Sequence, residues 1–369
     1  MKRAALLGTV LLLAAAGTAP AQPDKEKGKD GDDHAKALVE ARKKGLAWLT
    51  KHQEANGSWG KQYNIAVTAF ACLSYLAHQD EPFDGDHAKA LLKGLKYLMS
   101  MQTDGKFQPQ GHSWIHGQGF ATLALSEAYG RALTTKAKPD IDTDKIKDVV
   151  AKAVKIIAKN QSNSGGWWYT ENQPQSHEGS TTVCAVQAMV SAQNYGLEID
   201  EKVLDKGFEY LKKCQTKEGG FNYQLGDNTN MKEGTAAAVA TLGLMQKFDF
   251  KVMLDGYKFL LKITPKTISN ERFPYYGHFY GQMGMRLLGQ EYSDDKEYSA
   301  KTRGYIVETQ KELLAWQDKD GAFPLKGWII GNAQENTGYS TAFGLLALSV
   351  TEGRLSIFNR DPPKLPGKQ

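Results

Sequence analysis

Gly207-Phe-Glu-Tyr-Leu-Lys-Lys-Cys-Gln-Thr-Lys-Glu-Gly-Gly-Phe221 leads into an Ala/Thr/Gly-rich run from Glu233 to Met245, and the two together read as one repeat unit. Phe208, Leu211 and Cys214 lie at helical spacing. The pattern stops at Gly219-Gly220, where the chain can turn without the steric penalty of a Cβ, and Gly220 is the position expected to need φ > 0. From Thr235 a second helix resumes, and its small residues allow close approach to neighbours on more than one side. The unit is helix, Gly-aromatic turn, helix.

The same pattern recurs along the chain. A Gln precedes a Gly-containing turn and an aromatic at Gln53 to Trp59, Gln102 to Phe107, Gln161 to Trp167 and Gln317 to Phe323. A degenerate copy runs from Tyr257 to Thr264, with Asn270-Glu-Arg-Phe273 in place of Gly-Gly-Phe. Six copies at about 53 residues each are the signature of a repeat architecture. Helices with mixed Lys/Glu and apolar faces are expected at about 34–54, 86–102, 143–160, 200–215, 250–263 and 296–317. Charge-poor helices are expected at about 64–78, 117–133, 178–195, 232–247, 278–290 and 336–350. A helix apolar nearly all round is buried on both sides and one with a polar face lies outside, so the chain is expected to be all-α in two concentric layers. Six equal hairpins can close into a ring. Trp59, Phe107, Trp167, Phe221 and Phe323 then read as packing between repeats.

Composition fits that picture: 41% of residues are hydrophobic and 24% charged, enough apolar material for one large core. Met1-Lys2-Arg3, the apolar run Ala4 to Ala16 and Ala19-Pro20-Ala21 together read as a secretory signal cleaved after Ala21, giving an exported protein, periplasmic or extracellular. No other stretch is apolar enough to span a membrane. Losing Lys2 and Arg3 lowers the net charge from +5 to +3, too mild for a nucleic-acid partner. Residues 22–33 are charged and read as a disordered leader, residues 34–351 as the toroid, and residues 352–369 as an irregular tail packed outside or fraying. Cys72, Cys184 and Cys214 each fall inside a helical pattern and read as buried free thiols. Asp140, Asp142 and Asp144 lack the glycine and terminal glutamate of a calcium loop.

A Gln followed by a Gly-rich turn and an aromatic, six times between paired helices, resembles the repeats of squalene cyclases and protein prenyltransferase β-subunits, the terpenoid cyclase/prenyltransferase superfamily. The resemblance covers about residues 35–350 and implies a single α/α toroid of six helical hairpins with ligands entering near the inner-helix N-termini. It does not carry those proteins' chemistry across. The positions of the cyclase acid cluster read Thr337-Gly-Tyr-Ser340 and Met231-Lys-Glu-Gly234, and no cysteine follows Cys214 to make a prenyltransferase zinc site.

At the inner-helix starts stand the candidate cavity-mouth residues: His116 on the second hairpin; Trp168, Tyr169, His177 and Glu178 on the third; Glu233 on the fourth; Tyr276, His278 and Tyr280 on the fifth; Glu335 and Tyr339 on the sixth. His112 and His116 would share a face if helical, but Gly111, Gly117 and Gly119 make that stretch loop-like, and neither a metal nor a cofactor is expected. No serine has an evident base beside it. Three readings follow: a cavity for an apolar or amphipathic ligand, a carbohydrate-active enzyme of glycosidase or polysaccharide lyase type, or a protein-interaction scaffold.

Overall fold

The computed structural model describes residues 29–109, 111–229, 231–245, 250–291, 295–327 and 337–361. Outer helices are α1 (Lys29–Lys51), α3 (Ala88–Ser100), α5 (Thr143–Lys159), α7 (Glu201–Lys213), α9 (Phe250–Lys262) and α12 (Lys296–Trp316). Inner helices are α2 (Asn64–His78), α4 (Trp114–Thr134), α6 (Gly179–Asn194), α8 (Lys232–Leu244), α11 (Pro274–Glu291) and α13 (Thr337–Ser349), with a short α10 (Pro265–Ile268) between α9 and α11. Each inner helix packs on the next, and α13 packs back on α2. This is the closed two-layer toroid of the sequence reading. Among the described residues the only sheet is one two-residue hairpin, Gln102–Thr103 with Lys106–Phe107.

The layers differ as the patterning requires. In α2 every residue from Ile65 to Ala77 is buried, whereas α7 buries only Leu204, Gly207, Phe208, Tyr210 and Leu211. Three outer helices, α5, α7 and α12, start on acidic caps: Asp142, Asp200 and Asp295 each accept a first-turn N–H.

The repeat is held by a recurring set of hydrogen bonds. Gln215 Nε2 donates to its own turn at Gly219 O and across to Val252 O on α9, and Gln53 and Gln161 do the same to the outer helix that follows each. Gln317 reaches Ala41 O on α1 at 2.8 Å, so the last repeat ties to the first by the same bond. The aromatic's N–H is taken by an inner-helix side chain: Thr68, Gln118, Thr182, Thr235 or Thr341. The aromatics themselves are buried.

The turn glycine with positive φ is Gly219 (φ 94), not Gly220 as expected. A Cβ at Gly219 would stand 2.3 Å from the Asp255 carbonyl oxygen. Gly57, Gly105, Gly165 and Gly321 share that conformation, while the next position holds Ser58, Lys106, Gly166 and Ala322.

Three further expectations change, and the degenerate fifth repeat shows its own turn. Helix α1 begins at Lys29, so residues 29–33 of the supposed leader are helical. Helix α4 begins at Trp114, because its glycines serve close packing: a Cβ at Gly119 would lie 2.4 Å from Cys184 Sγ. In the fifth repeat Thr264 caps α10 in place of the Gln-Gly turn. Finally, the segment after α13 is no fraying tail: Leu355, Ile357 and Phe358 are fully buried in the core. Residues 1–28 and 362–369, with the expected signal and the end of the tail, lie outside the described residues. All three cysteines are buried and free. Among the described residues no helix is long and apolar enough to cross a membrane.

Candidate functional site

Six inner helices start at one end of the ring, and their first turns enclose a cavity of about 780 Å³. Its deeper wall is apolar and aromatic. Phe70 packs against Phe120 at 4.4 Å and Phe343 at 4.1 Å between ring centroids, and Tyr339 packs on Phe343 at 5.0 Å. Polar groups gather on the loops and first turns. Tyr63 and His112 are joined Oη to Nδ1 at 2.9 Å, and Tyr169 and Tyr223 hydroxyl to hydroxyl at 2.7 Å. Arg272, Asp227 and Glu233 also line the cavity.

Glu178 is the N-cap of α6 and has no solvent exposure. Its carboxylate accepts the Ser180 N–H at 2.7 Å, the Thr181 N–H at 2.6 Å and the Ser180 hydroxyl at 2.6 Å. Burial pushes its pKa above the usual carboxylate range, opposed by those bonds. Glu233, in the first turn of α8, is also raised, by burial first and by the negative charge of Glu271 in addition. Burial lowers His116 to about 4, leaving a neutral imidazole at neutral pH. Burial also raises the Tyr169 phenol.

Of the expected mouth residues, His116, Tyr169, Glu178, Glu233, Tyr276 and Tyr339 line this one cavity. Four others do not. Trp168 packs edge-on against Tyr169, at 5.0 Å between ring centroids, without itself lining the cavity. His177, one residue before Glu178, bonds Tyr210 on α7 through Nδ1 at 3.1 Å. His278 is two residues, some 200°, around α11 from Tyr276, and so faces the outer layer, where it meets Trp316 at 5.1 Å and Ser269 Oγ at 3.1 Å. Tyr280 is buried below the cavity on Gln187 Oε1. Glu335 lies outside the described residues. His112 stands in the loop before α4 and His116 within its first turn, so the pair does not share a helix face. Among the described residues no three His, Cys, Asp or Glu side chains come together as a metal site.

Sequence reasoning missed Phe70, Phe120 and Phe343, which share a register: each stands two residues after the inner-helix side chain that holds the repeat turn. It also missed Tyr63, Ser113, Ser180, Tyr223 and Arg272. These stand in or beside loops, where no periodicity marks them.

The sequence profile of the prenyltransferase alpha-alpha toroid domain matches residues 32–222, 189–271 and 256–363. No curated protein matches the chain. Among solved structures, a variant of the type II terpene cyclase MstE from Scytonema, in complex with geranylgeranyl dihydroxybenzoate, superposes with a TM-score of 0.55 at 15% identity, over 88% of this chain and 99% of that one. An inactive variant of the alpha-1,6-mannanase GH76A of Salegentibacter sp. HEL1_6, in complex with alpha-1,6-mannotetrose, gives 0.60 at 10% identity, over 85% and 99%. A protein from Actinoplanes gives 0.56 at 15%, over 85% and 99%. At these identities the likeness is one of fold.

Proposed function

The chain belongs to the prenyltransferase alpha-alpha toroid domain family, and from that premise we propose that it binds an apolar or amphipathic small molecule in its central cavity. The observation that carries this is the division of the cavity wall. Aromatic and aliphatic side chains form the depth, and hydrogen-bonding groups stand at the inner-helix starts. A volume of about 780 Å³ suits a small-molecule ligand, and an apolar wall with a few convergent polar groups is what such sites have. A molecule with a polar end near Glu178 and Tyr169 and an apolar body against Phe70 and Phe343 would satisfy both parts.

A carbohydrate is the second reading, favoured by the phenols of Tyr169 and Tyr223 beside two carboxylates. Titration with a long-chain alcohol and with a mannose oligosaccharide, followed by intrinsic fluorescence, separates the two. Saturation by the alcohol alone, weakened at least tenfold by the cavity-filling Ala66→Phe, is expected. Saturation by the sugar alone would reverse the order of the readings, and no response to either would sink both. Export is part of the proposal, resting on Met1 to Ala21, and protein recovered from outside the cytoplasm should begin at Gln22.

A further inference from the structure

The first turns of α4 and α6 bring four side chains into one hydrogen-bonded row along the cavity wall. Ser113 Oγ lies 2.5 Å from His116 Nδ1. His116 Nε2 lies 3.4 Å from Ser180 Oγ, and Ser180 Oγ lies 2.6 Å from Glu178 Oε1. All four residues border the cavity.

The direction of each proton follows from the far end of the row. The Glu178 carboxylate already takes two backbone N–H groups, so it acts as acceptor and the Ser180 hydroxyl donates to it. Ser180 Oγ can then only accept from His116, which places the imidazole proton on Nε2. The remaining ring nitrogen, Nδ1, presents its lone pair, and the Ser113 hydroxyl must donate to it. Ser113 occupies the N-cap position of α4 but makes no side-chain capping bond, so its hydroxyl is not spent on the helix. The 3.4 Å contact is the long member of the row, as catalytic hydrogen bonds often are before substrate is bound.

We propose that Ser113 and His116 are a nucleophile and general base that hydrolyse carboxylic esters with apolar acyl groups, with Ser180 and Glu178 as positioning residues that hold the imidazole tautomer. This rests on the reading that the cavity takes apolar or amphipathic molecules. An ester suits such a wall better than an amide, because it carries no N–H that would need a buried partner. In the first step Ser113 Oγ bonds to the acyl carbon while its proton passes to His116 Nδ1. The tetrahedral adduct collapses, the C–O bond to the alcohol breaks, and His116 Nδ1 gives its proton to the departing alkoxide. In the second step water attacks the acyl-serine, His116 Nδ1 takes its proton and returns it to Ser113, and the carboxylic acid leaves. Ester and water are consumed, acid and alcohol are formed, and the serine and histidine are restored.

The test treats the full-length protein with an alkyl fluorophosphonate, maps the modified residue by peptide mass spectrometry, and follows hydrolysis of p-nitrophenyl octanoate. Phosphonylation at Ser113 is expected, with hydrolysis reduced about 10²-fold or more in both Ser113→Ala and His116→Gln. The wild-type rate should stay level on acidification until the pH approaches about 4, where burial has placed the His116 pKa, instead of falling near 6.5. Ser180→Ala should move that midpoint, which a merely structural serine would not do. Binding of an apolar fluorescent probe, retained in Ser113→Ala, shows that the cavity and fold are intact. Probe binding without label at Ser113, or with hydrolysis unchanged in the two variants, overturns the catalytic pair and leaves the cavity reading standing. Failure of the wild type to bind the probe overturns the cavity reading instead. Mapping on the wild-type protein decides the matter even if a variant does not fold.

Discussion

The two ends of the inner ring use the same device for opposite purposes. At the far end from the cavity, Glu127 on α4 is fully buried and accepts four hydrogen bonds: from Ser191 Oγ, Tyr195 Oη, and the N–H and hydroxyl of Ser356. The turn at Ser356–Phe358 lies over it and packs on α6 and α11. At the other end Glu178 is as buried and accepts three bonds, yet it borders open space. Burial raises both carboxyls. Perturbation alone therefore does not mark a functional acid. The difference lies in whether a group's neighbours close over it or leave one side for something else.

The frame of the open end gives the largest expected effect. Gly219→Val should destabilise by about 3 to 5 kcal/mol, since the positive φ and the Asp255 carbonyl each oppose a side chain there. Gly220→Ala should cost less than about 1 kcal/mol, as Ala322 already stands at the matching position of the sixth repeat. Denaturant unfolding of the two variants measures it. Equal losses would mean that the mouth is not held by its turns.

Next is the contrast between the two glutamates. Glu127→Ala should cost about 3 kcal/mol or more, because it leaves four buried donors without an acceptor. Glu178→Ala should cost about 1 kcal/mol, the ordinary loss of a helix cap, because water in the cavity can serve the exposed donors. If Glu178→Ala proves as damaging, both ends are structural and the distinction fails.

Acid gives the smallest. His116 and His278 have folded pKa values near 4 and 3, depressed by burial below that of the unfolded chain. Their contribution is complete above pH 6.5 and is lost as the pH falls toward those values, by up to about 1.4 kcal/mol per unit for each. At the sealed end His78, lowered to about 4 by burial and then by Arg42 and Arg354, acts in the same sense. Glu127 opposes it there, and Glu178 and Glu233 oppose the histidines of the open end, since a raised pKa makes each contribution greatest at low pH and lost as the pH rises. The ends then differ by two buried histidines against one. Hydrogen exchange between pH 6.5 and 5 should therefore loosen the first turns of α4 and α11 more than the last turns of α2 and α4. His116→Gln should reduce the effect at α4. Equal loosening at both ends would show that acid does not tell them apart.

The ring was legible because one small set of contacts is written repeatedly. Gln, Gly and an aromatic at fixed offsets imply the same turn wherever they occur, and the substitutions at Ser58, Lys106 and Ala322 already mark which glycine is obligatory. The site was half legible for the complementary reason. Position in the repeat locates the end at which a residue stands, but neither the side to which it points nor its depth: Tyr276 faces the cavity, His278 turns away, and Tyr280 lies one turn deeper on the face of Tyr276. The Ser113 to Glu178 row stayed hidden because it joins two hairpins. Ser113 lies three residues from its base, yet the surrounding glycines read as a loop until α4 was seen to start at Trp114.

The bond from Gln317 to the Ala41 carbonyl also sets an order of events. On a ribosome the first five hairpins emerge with α1 and α2 still lacking the neighbours that α12 and α13 supply. That contact spans 276 residues, among the most distant the chain makes, so its closure comes late in folding. Until it forms, Tyr339 and Phe343 are missing from the wall and Ser356 has not reached Glu127. A nascent chain therefore has neither a complete cavity wall nor a sealed far end. On the proposed reading of the cavity, a ligand should be retained only once synthesis is nearly finished, and a product truncated before α13 should hold none.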